Sequence, residues 1–187
     1  MIYFTSDLHL GHANVLRLSD RPWSDIDEMN RALINNINAT VGYHDELYML
    51  GDFSFRIPIE EASELLNKIQ CQNLYLIRGN HDKDWARSSV GHRWKEICDY
   101  KELKVAGICK FCLMHYPLLE WNGSRRHYSI NLHGHQHNLG PEYNLTNFDQ
   151  GIMRYDVGVD ANDYKPVSAD EIISLAGLKQ EADYADY

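Results

Sequence analysis

Met1-Ile2-Tyr3-Phe4-Thr5-Ser6-Asp7-Leu8-His9 opens with a largely apolar run that stops abruptly at an acid and a histidine. The same construction recurs along the chain. Glu46 to Leu50 leads into Gly51-Asp52, Asn73 to Arg78 into Gly79-Asn80-His81-Asp82, Cys109 to Met114 into His115, and Ser129 to Leu132 toward Gly134-His135-Gln136-His137. Short runs of this kind, bounded by Gly, Asp and Asn, read as buried strands. Each polar cluster then stands at the carboxyl edge of a strand, and in open α/β sheets ligands bind outside those edges. Residues as distant as Asp7 and His137 therefore converge on one crevice.

Their chemistry indicates what the crevice holds. Asp7, His9, Asp52, Asn80, His115, His135 and His137 offer oxygen and imidazole nitrogen but no thiolate. Such a set suits Mn, Fe, Zn or Mg rather than a cysteine zinc site, and mixed histidine and carboxylate ligation puts Mn or Fe ahead of Mg. Two divalent ions about 3.5 to 4 Å apart can share a carboxylate and a water, acidify that water and clamp both oxygens of an in-line displacement at phosphorus. His81 is left over for acid chemistry. Singly, a DxH or GD is an ordinary strand-end cap; the ordered set carries the reading.

The series DxH, GD, GNHD, H and GHxH, over about residues 1 to 160, resembles the calcineurin-like metallophosphoesterase superfamily, and the short chain is similar to its compact bacterial or phage members. The resemblance implies an α/β fold of four layers, α/β/β/α, in which two β-sheets are flanked by helices and carry a dinuclear metal site at their rim. It implies a first metal on Asp7, His9, Asp52 and His137, and a second on Asn80, His115 and His135, with Asp52 bridging. It also implies that metal-bound hydroxide attacks phosphorus while His81 protonates the leaving oxygen, with Asp82 as its orienter. If the GHxH segment is extended, His135 and His137 point the same way and reach neighbouring metals.

Substrate choice falls to the surrounding walls. The loop Tyr116 to His127 carries Trp121, Arg125 and Arg126; with both ends at the metals it would overhang the crevice. A guanidinium there could hold a nonbridging phosphate oxygen, and the indole could stack on a base. His12, Arg17 and the stretch Arg21-Pro22-Trp23, all placed before the first clear helix, form a second candidate wall. Phe55 and Arg56 are weaker candidates.

The rest reads as scaffold. Ser24 and Asp25 cap a helix with the stripe Ile26, Met29, Leu33 and Ile37, and a second helix from near Pro58 buries Ile59, Ala62, Leu66 and Ile69. Asp156-Val157-Gly158-Val159-Asp160 resembles the strand and turn that follow GHxH in the family, where Asp156 or Asp160 could support the histidines; a structural turn is the plainer reading of Asp160. Ser168 to Glu171 reads as a capping box before Ile172, Ile173 and Leu175.

The chain has 187 residues, 44% hydrophobic and 24% charged, enough for a single domain over 1–178, followed by an acidic tail at 179–187 that reads as loose. Cys71, Cys98, Cys109 and Cys112 form no secreted-type framework, and the one CxxC would split across a strand's two faces. With no apolar run of spanning length and no basic leader, the expectation is a cytoplasmic enzyme without a membrane partner. A net charge of −9 disfavours strong duplex nucleic-acid binding but leaves a nucleotide or other small phosphoester open. A phosphodiesterase of small or nucleotide-like substrates is the leading expectation. The alternatives are a phosphomonoesterase, a nuclease on nucleic-acid ends, or a non-catalytic metal-binding scaffold.

Overall fold

The computed structural model describes residues 1–105 and 107–179, so the expected tail lies, but for residue 179, outside the described residues. The five motif-bearing strands form where expected: β1 Ile2–Thr5, β2 Glu46–Met49, β3 Asn73–Ile77, β6 Cys109–Met114 and β7 Ser129–His133. Also present are β4 Trp94–Cys98, β5 Tyr100–Val105, β8 Arg154–Asp156 and β9 Val167–Ser168. They build two mixed sheets, one ordered β4-β3-β2-β1-β9 and the other β5-β6-β7-β8. β1, β2, β3 and β4 run parallel, with Phe4 opposite Tyr48 and Tyr48 opposite Tyr75; β6, β7 and β8 are parallel in the second sheet.

Period-two side-chain alternation divides the first sheet between two cores. Leu47, Met49, Leu74 and Leu76 face the helices α2 Ile26–Thr40 and α3 Ile59–Asn67, whose Met29, Leu33, Ile37, Ala62 and Leu66 are buried there. Phe4, Tyr48, Leu50 and Ile77 face Phe111, Leu113, Ile130 and Leu132 of the second sheet. Asp25 caps α2 by accepting from Glu28 N at 2.7 Å, and the capping box opens α5 Ala169–Leu175 through Ser168 and Glu171. Ile172 and Ile173 are buried, but Leu175, the last residue of the helix, is exposed.

The far flank is thinner. α4 Glu142–Asp149 lies along β8, where Asn144 Oδ1 accepts from Asp156 N at 2.7 Å and Asn144 Nδ2 donates to Asp156 O at 3.0 Å. Asn147 Nδ2 adds a bond to Arg154 O at 3.2 Å, so side-chain amides pair this edge where a further strand would. An additional short helix, α1 Asn14–Leu18, occupies a segment that the sequence reading left irregular.

The parallel arrangement brings all five motifs to one rim. A bridge between Ser6 and Gly158 joins the carboxyl end of β1 to the turn after β8, closing the two sheets together there. No described helix is long and apolar enough to cross a membrane.

Candidate metal centre

At this rim the backbone leaves ordinary conformational space. Asp7, His9, Asp52, His135 and His137 all have φ between 50° and 71°, in the left-handed region that non-glycine residues rarely occupy. Interlocking amide bonds hold them: Asp7 N donates to Gly51 O at 3.1 Å, His9 N to Asp52 O at 2.9 Å, and His135 N to Asp7 Oδ2 at 2.8 Å. Gly79 and Gly134 are required by close approach. A Cβ on Gly79 would run into Asp52 Oδ1, and one on Gly134 into Ser6 Oγ and Asp7 Oδ2.

The acceptors gather in two groups. Asp7, His9 and His137 bring ligand atoms together in one, and Asp7, Asp52 and His115 in the other. Asp7 belongs to both groups, and Asp52 Oδ2 lies 3.5 Å from His9 Nε2 and 3.6 Å from His115 Nε2, between them. His115 Nδ1 donates to Leu50 O at 2.7 Å, so in the neutral ring Nε2 turns a lone pair toward Asn80 Oδ1, 3.0 Å away. Asp7 Oδ1 is buried with no hydrogen-bond partner. Acceptors facing acceptors, with an orphaned carboxylate oxygen among them, suit cations. The residues present fit divalent ions.

Burial dominates the electrostatics. It pushes the Asp7 carboxyl up to about 7 against the pull of His115 and His137. It also drives His9 down to about 2, aided by the nearby charges of His137 and Arg21. Burial opposes charge on His137 as well, yet the hydrogen bond it donates to Asp160 and the charges of Asp7 and Asp160 carry its pKa above the ordinary value.

The sequence-derived assignments fare unevenly. Asp7, His9, Asp52, Asn80, His115 and His137 come together directly. His135 reaches the centre as a ring 5.1 Å from His115. The GHxH segment is not extended: His135 and His137 are both left-handed and Gln136 N closes a turn onto Gly134 O at 2.9 Å, which sends the rings to opposite halves.

Asp82 does not orient His81. Its oxygens accept from Asp52 N, Phe53 N and Gly79 N at 2.9, 3.0 and 2.7 Å, making it the clasp between the GD and GNHD turns. His81 instead rests on Phe55, with ring centroids 3.9 Å apart, and stands 5.7 Å from the His9 ring.

The Tyr116 to His127 loop does not overhang the crevice. β6 and β7 are parallel, so their connection must return to the opposite edge of the sheet. It crosses the outer face, where Leu118 N binds Asn131 Oδ1 at 2.9 Å and Asn122 O accepts from Ser129 Oγ at 2.7 Å. Trp121 is half-buried against the second core and donates to Ser129 O at 3.2 Å. The Arg125 side chain is 91% exposed, 3.9 Å from Glu120, and Arg126 lies against Tyr128. These three residues sit near the amino ends of the strands, away from the metals.

Other groups line the rim. His12 meets Phe55 edge-on and lies tilted beside His9, with centroids at 4.7 and 5.7 Å, whereas Arg17 is exposed in the last turn of α1. Arg56 lies over the Phe55 ring, 5.0 Å from its centroid. Tyr116, which the sequence reading did not single out, packs on His135 at 4.6 Å. Arg21 is buried rather than part of a wall, and Trp23 packs against Tyr164. Asp160 lies in a short 3-10 turn and also supports a histidine, bonding His137 Nδ1 at 2.7 Å. Asp156 holds the neighbouring turn through Gly158 N and Asn138 Nδ2. All four cysteines are free; Cys109 and Cys112 lie on opposite faces of β6, Cys109 in the inter-sheet core and Cys112 against Asn122 O.

The chain is similar to known proteins along nearly its whole length. An uncharacterized protein of Methanocaldococcus jannaschii is 35% identical over 181 residues, covering 93% of this chain and 90% of that protein. The gene 66 protein of Mycobacterium phage D29 is 29% identical, covering 86% of this chain and 88% of its own length. The crystal structure of a protein of unknown function from Aquifex aeolicus superposes with a TM-score of 0.70 at 27% identity, covering 94% of this chain and 98% of that one. The calcineurin-like phosphoesterase profile matches residues 1–174, the span that contains both sheets and every candidate ligand. With its acceptor-rich rim and its two sheets accounted for by that match, the chain belongs to the calcineurin-like phosphoesterase family and is a metal-dependent phosphoesterase.

Proposed function

We propose that this enzyme is a dinuclear phosphodiesterase of small or nucleotide-like substrates, with His81 as the acid for the leaving oxygen. The observation that carries the reading is Asp52 Oδ2 set between His9 and His115 with the His81 imidazole beside the ligands but outside their set. Asp7, His9, Asp52 and His137 would hold one ion, and Asp52, Asn80, His115 and His135 the other; Mn or Fe suits these donors best. When bound, divalent ions polarise the phosphoryl oxygens and acidify water.

The chain's own residues do the rest. Phe55 braces the His81 ring, and in the acid role the imidazolium form gives one ring proton to the departing ester oxygen and becomes neutral imidazole. Exposed Arg56 replaces Arg125 and Arg126 as the guanidinium near the crevice mouth, suited to an anionic substrate. The long loop after His115 turns away across the outer sheet face and does not roof the rim, which supports room for a second ester substituent. Four unpaired cysteines are consistent with a cytoplasmic setting.

The test is hydrolysis of paired aryl phosphate monoesters and diesters by metal-stripped enzyme refilled with Mn, alongside His81→Ala. Mn-dependent turnover that favours the diester and falls in the variant supports the reading. A monoester preference overturns the diester assignment, and two bound ions without turnover of either ester overturns the catalytic one.

A further inference from the structure

Arg21 lies between α1 and α2, and its side chain has no solvent exposure. Nε and Nη2 donate to the two oxygens of Asp160 at 2.8 and 2.9 Å. Nη2 also reaches Asp7 O at 2.7 Å and Nη1 reaches Leu8 O at 2.9 Å. Asp160 Oδ2 in turn bonds His137 Nδ1 at 2.7 Å. One planar cation thus ties the backbone of the first motif to a ring of the last.

A pair this deeply buried is a poor stabiliser compared with well-packed apolar residues of similar volume. Its value lies in where its bonds end. His137 Nδ1 has a second neighbour, Ser19 Oγ at 3.3 Å, and a hydroxyl can donate or accept. Ser19 alone would leave the tautomer of His137 open. Asp160, held in place by the guanidinium, accepts from Nδ1, so in the neutral ring the hydrogen sits on Nδ1 and Nε2 is the nitrogen left to face a cation, 3.2 Å from His9 Nε2.

We propose that Arg21 is a positioning residue for the first metal, fixing the Asp7 and Leu8 carbonyls directly and the tautomer of His137 through Asp160. Lysine cannot reproduce the role, because its single ammonium lacks the planar fork that serves a carboxylate and two carbonyls at once. The inference rests on the dinuclear reading above, but its readouts do not require turnover.

The experiment compares wild type, Arg21→Lys and Asp160→Asn by Mn titration with site counting, and by nitrogen-15 imidazole spectra of the metal-free proteins followed up in pH until the His137 ring is neutral. Wild type should bind two ions and show His137 protonated on Nδ1. Both variants should weaken one site about 10- to 100-fold while sparing the other, with a mixed His137 tautomer. Should Arg21→Lys fail to fold, Asp160→Asn decides, because it retains the Arg21 bonds to Asp7 and Leu8. Two unaltered sites, or two sites weakened by the same factor, overturn the proposal and leave the dinuclear reading standing. Wild type that takes up no Mn overturns both; two wild-type ions without turnover overturn only the phosphodiesterase assignment.

Discussion

His81 and Asp82 are neighbours in sequence with different surroundings in the fold, one against the Phe55 ring and the other bonded to three backbone amides. His81→Ala should keep both ions and lower kcat by about 10²- to 10⁴-fold, most with poor leaving groups; metal analysis beside turnover of alkyl and aryl esters checks this. Asp52→Asn should weaken both sites together, since Oδ2 lies between the halves, and a titration that loses only one ion would remove its bridging role. Gly79→Ala tests packing rather than ligation. Its new methyl meets Asp52 Oδ1, so we expect about 1 to 3 kcal/mol of destabilisation in urea unfolding together with weaker metal uptake. The identity of these residues was readable from sequence because their types and order are so specific. Their partners were not: the family resemblance implied an Asp82–His81 pair, whereas Asp82 satisfies three backbone amides that only the folded turns bring together.

At the level of elements, the motif-bearing strands were legible because each is an apolar run bounded by polar turn residues. α1 was not, being only five residues long without a capping side chain. The misplacement of Trp121, Arg125 and Arg126 came from neglecting direction: a connection between parallel strands begins at one edge and ends at the other. The β8 edge offers a test of its own. Asn144→Ala removes the amide that pairs with both Asp156 N and Asp156 O; of these, Asp156 O retains Asn162 Nδ2. Stability should fall by about 1 to 3 kcal/mol through the unpaired N–H, with metal content unchanged, as read by denaturant midpoint and metal analysis.

Over the whole molecule, ion binding and protonation compete. The metal-free Asp7 carboxyl, raised to about 7 by burial, is protonated below that pH, and an ion needs the carboxylate. Between about pH 4 and 7 the folded metal-free protein holds a proton that the unfolded chain has released, so this group's contribution to stability declines as pH rises through that window. An ion reverses the penalty. Mn affinity should therefore fall about tenfold per pH unit below 7, and the rise in Tm on adding Mn should be larger at about pH 7.5 than at about pH 5.5. Calorimetric titration across that range checks the slope, and Asp7→Asn should flatten it.

The left-handed backbone at Asp7, His9, Asp52, His135 and His137 separates two selections that usually act together. In a saturation library sorted only for correct folding, these five codons should drift toward Gly and Asn, which tolerate such φ values. Sorted for turnover, the same codons should return to the acids and imidazoles now present. The difference between the two enrichment profiles would mark the centre from population data alone, and it would mark it at positions where β-branched residues are rejected by both selections.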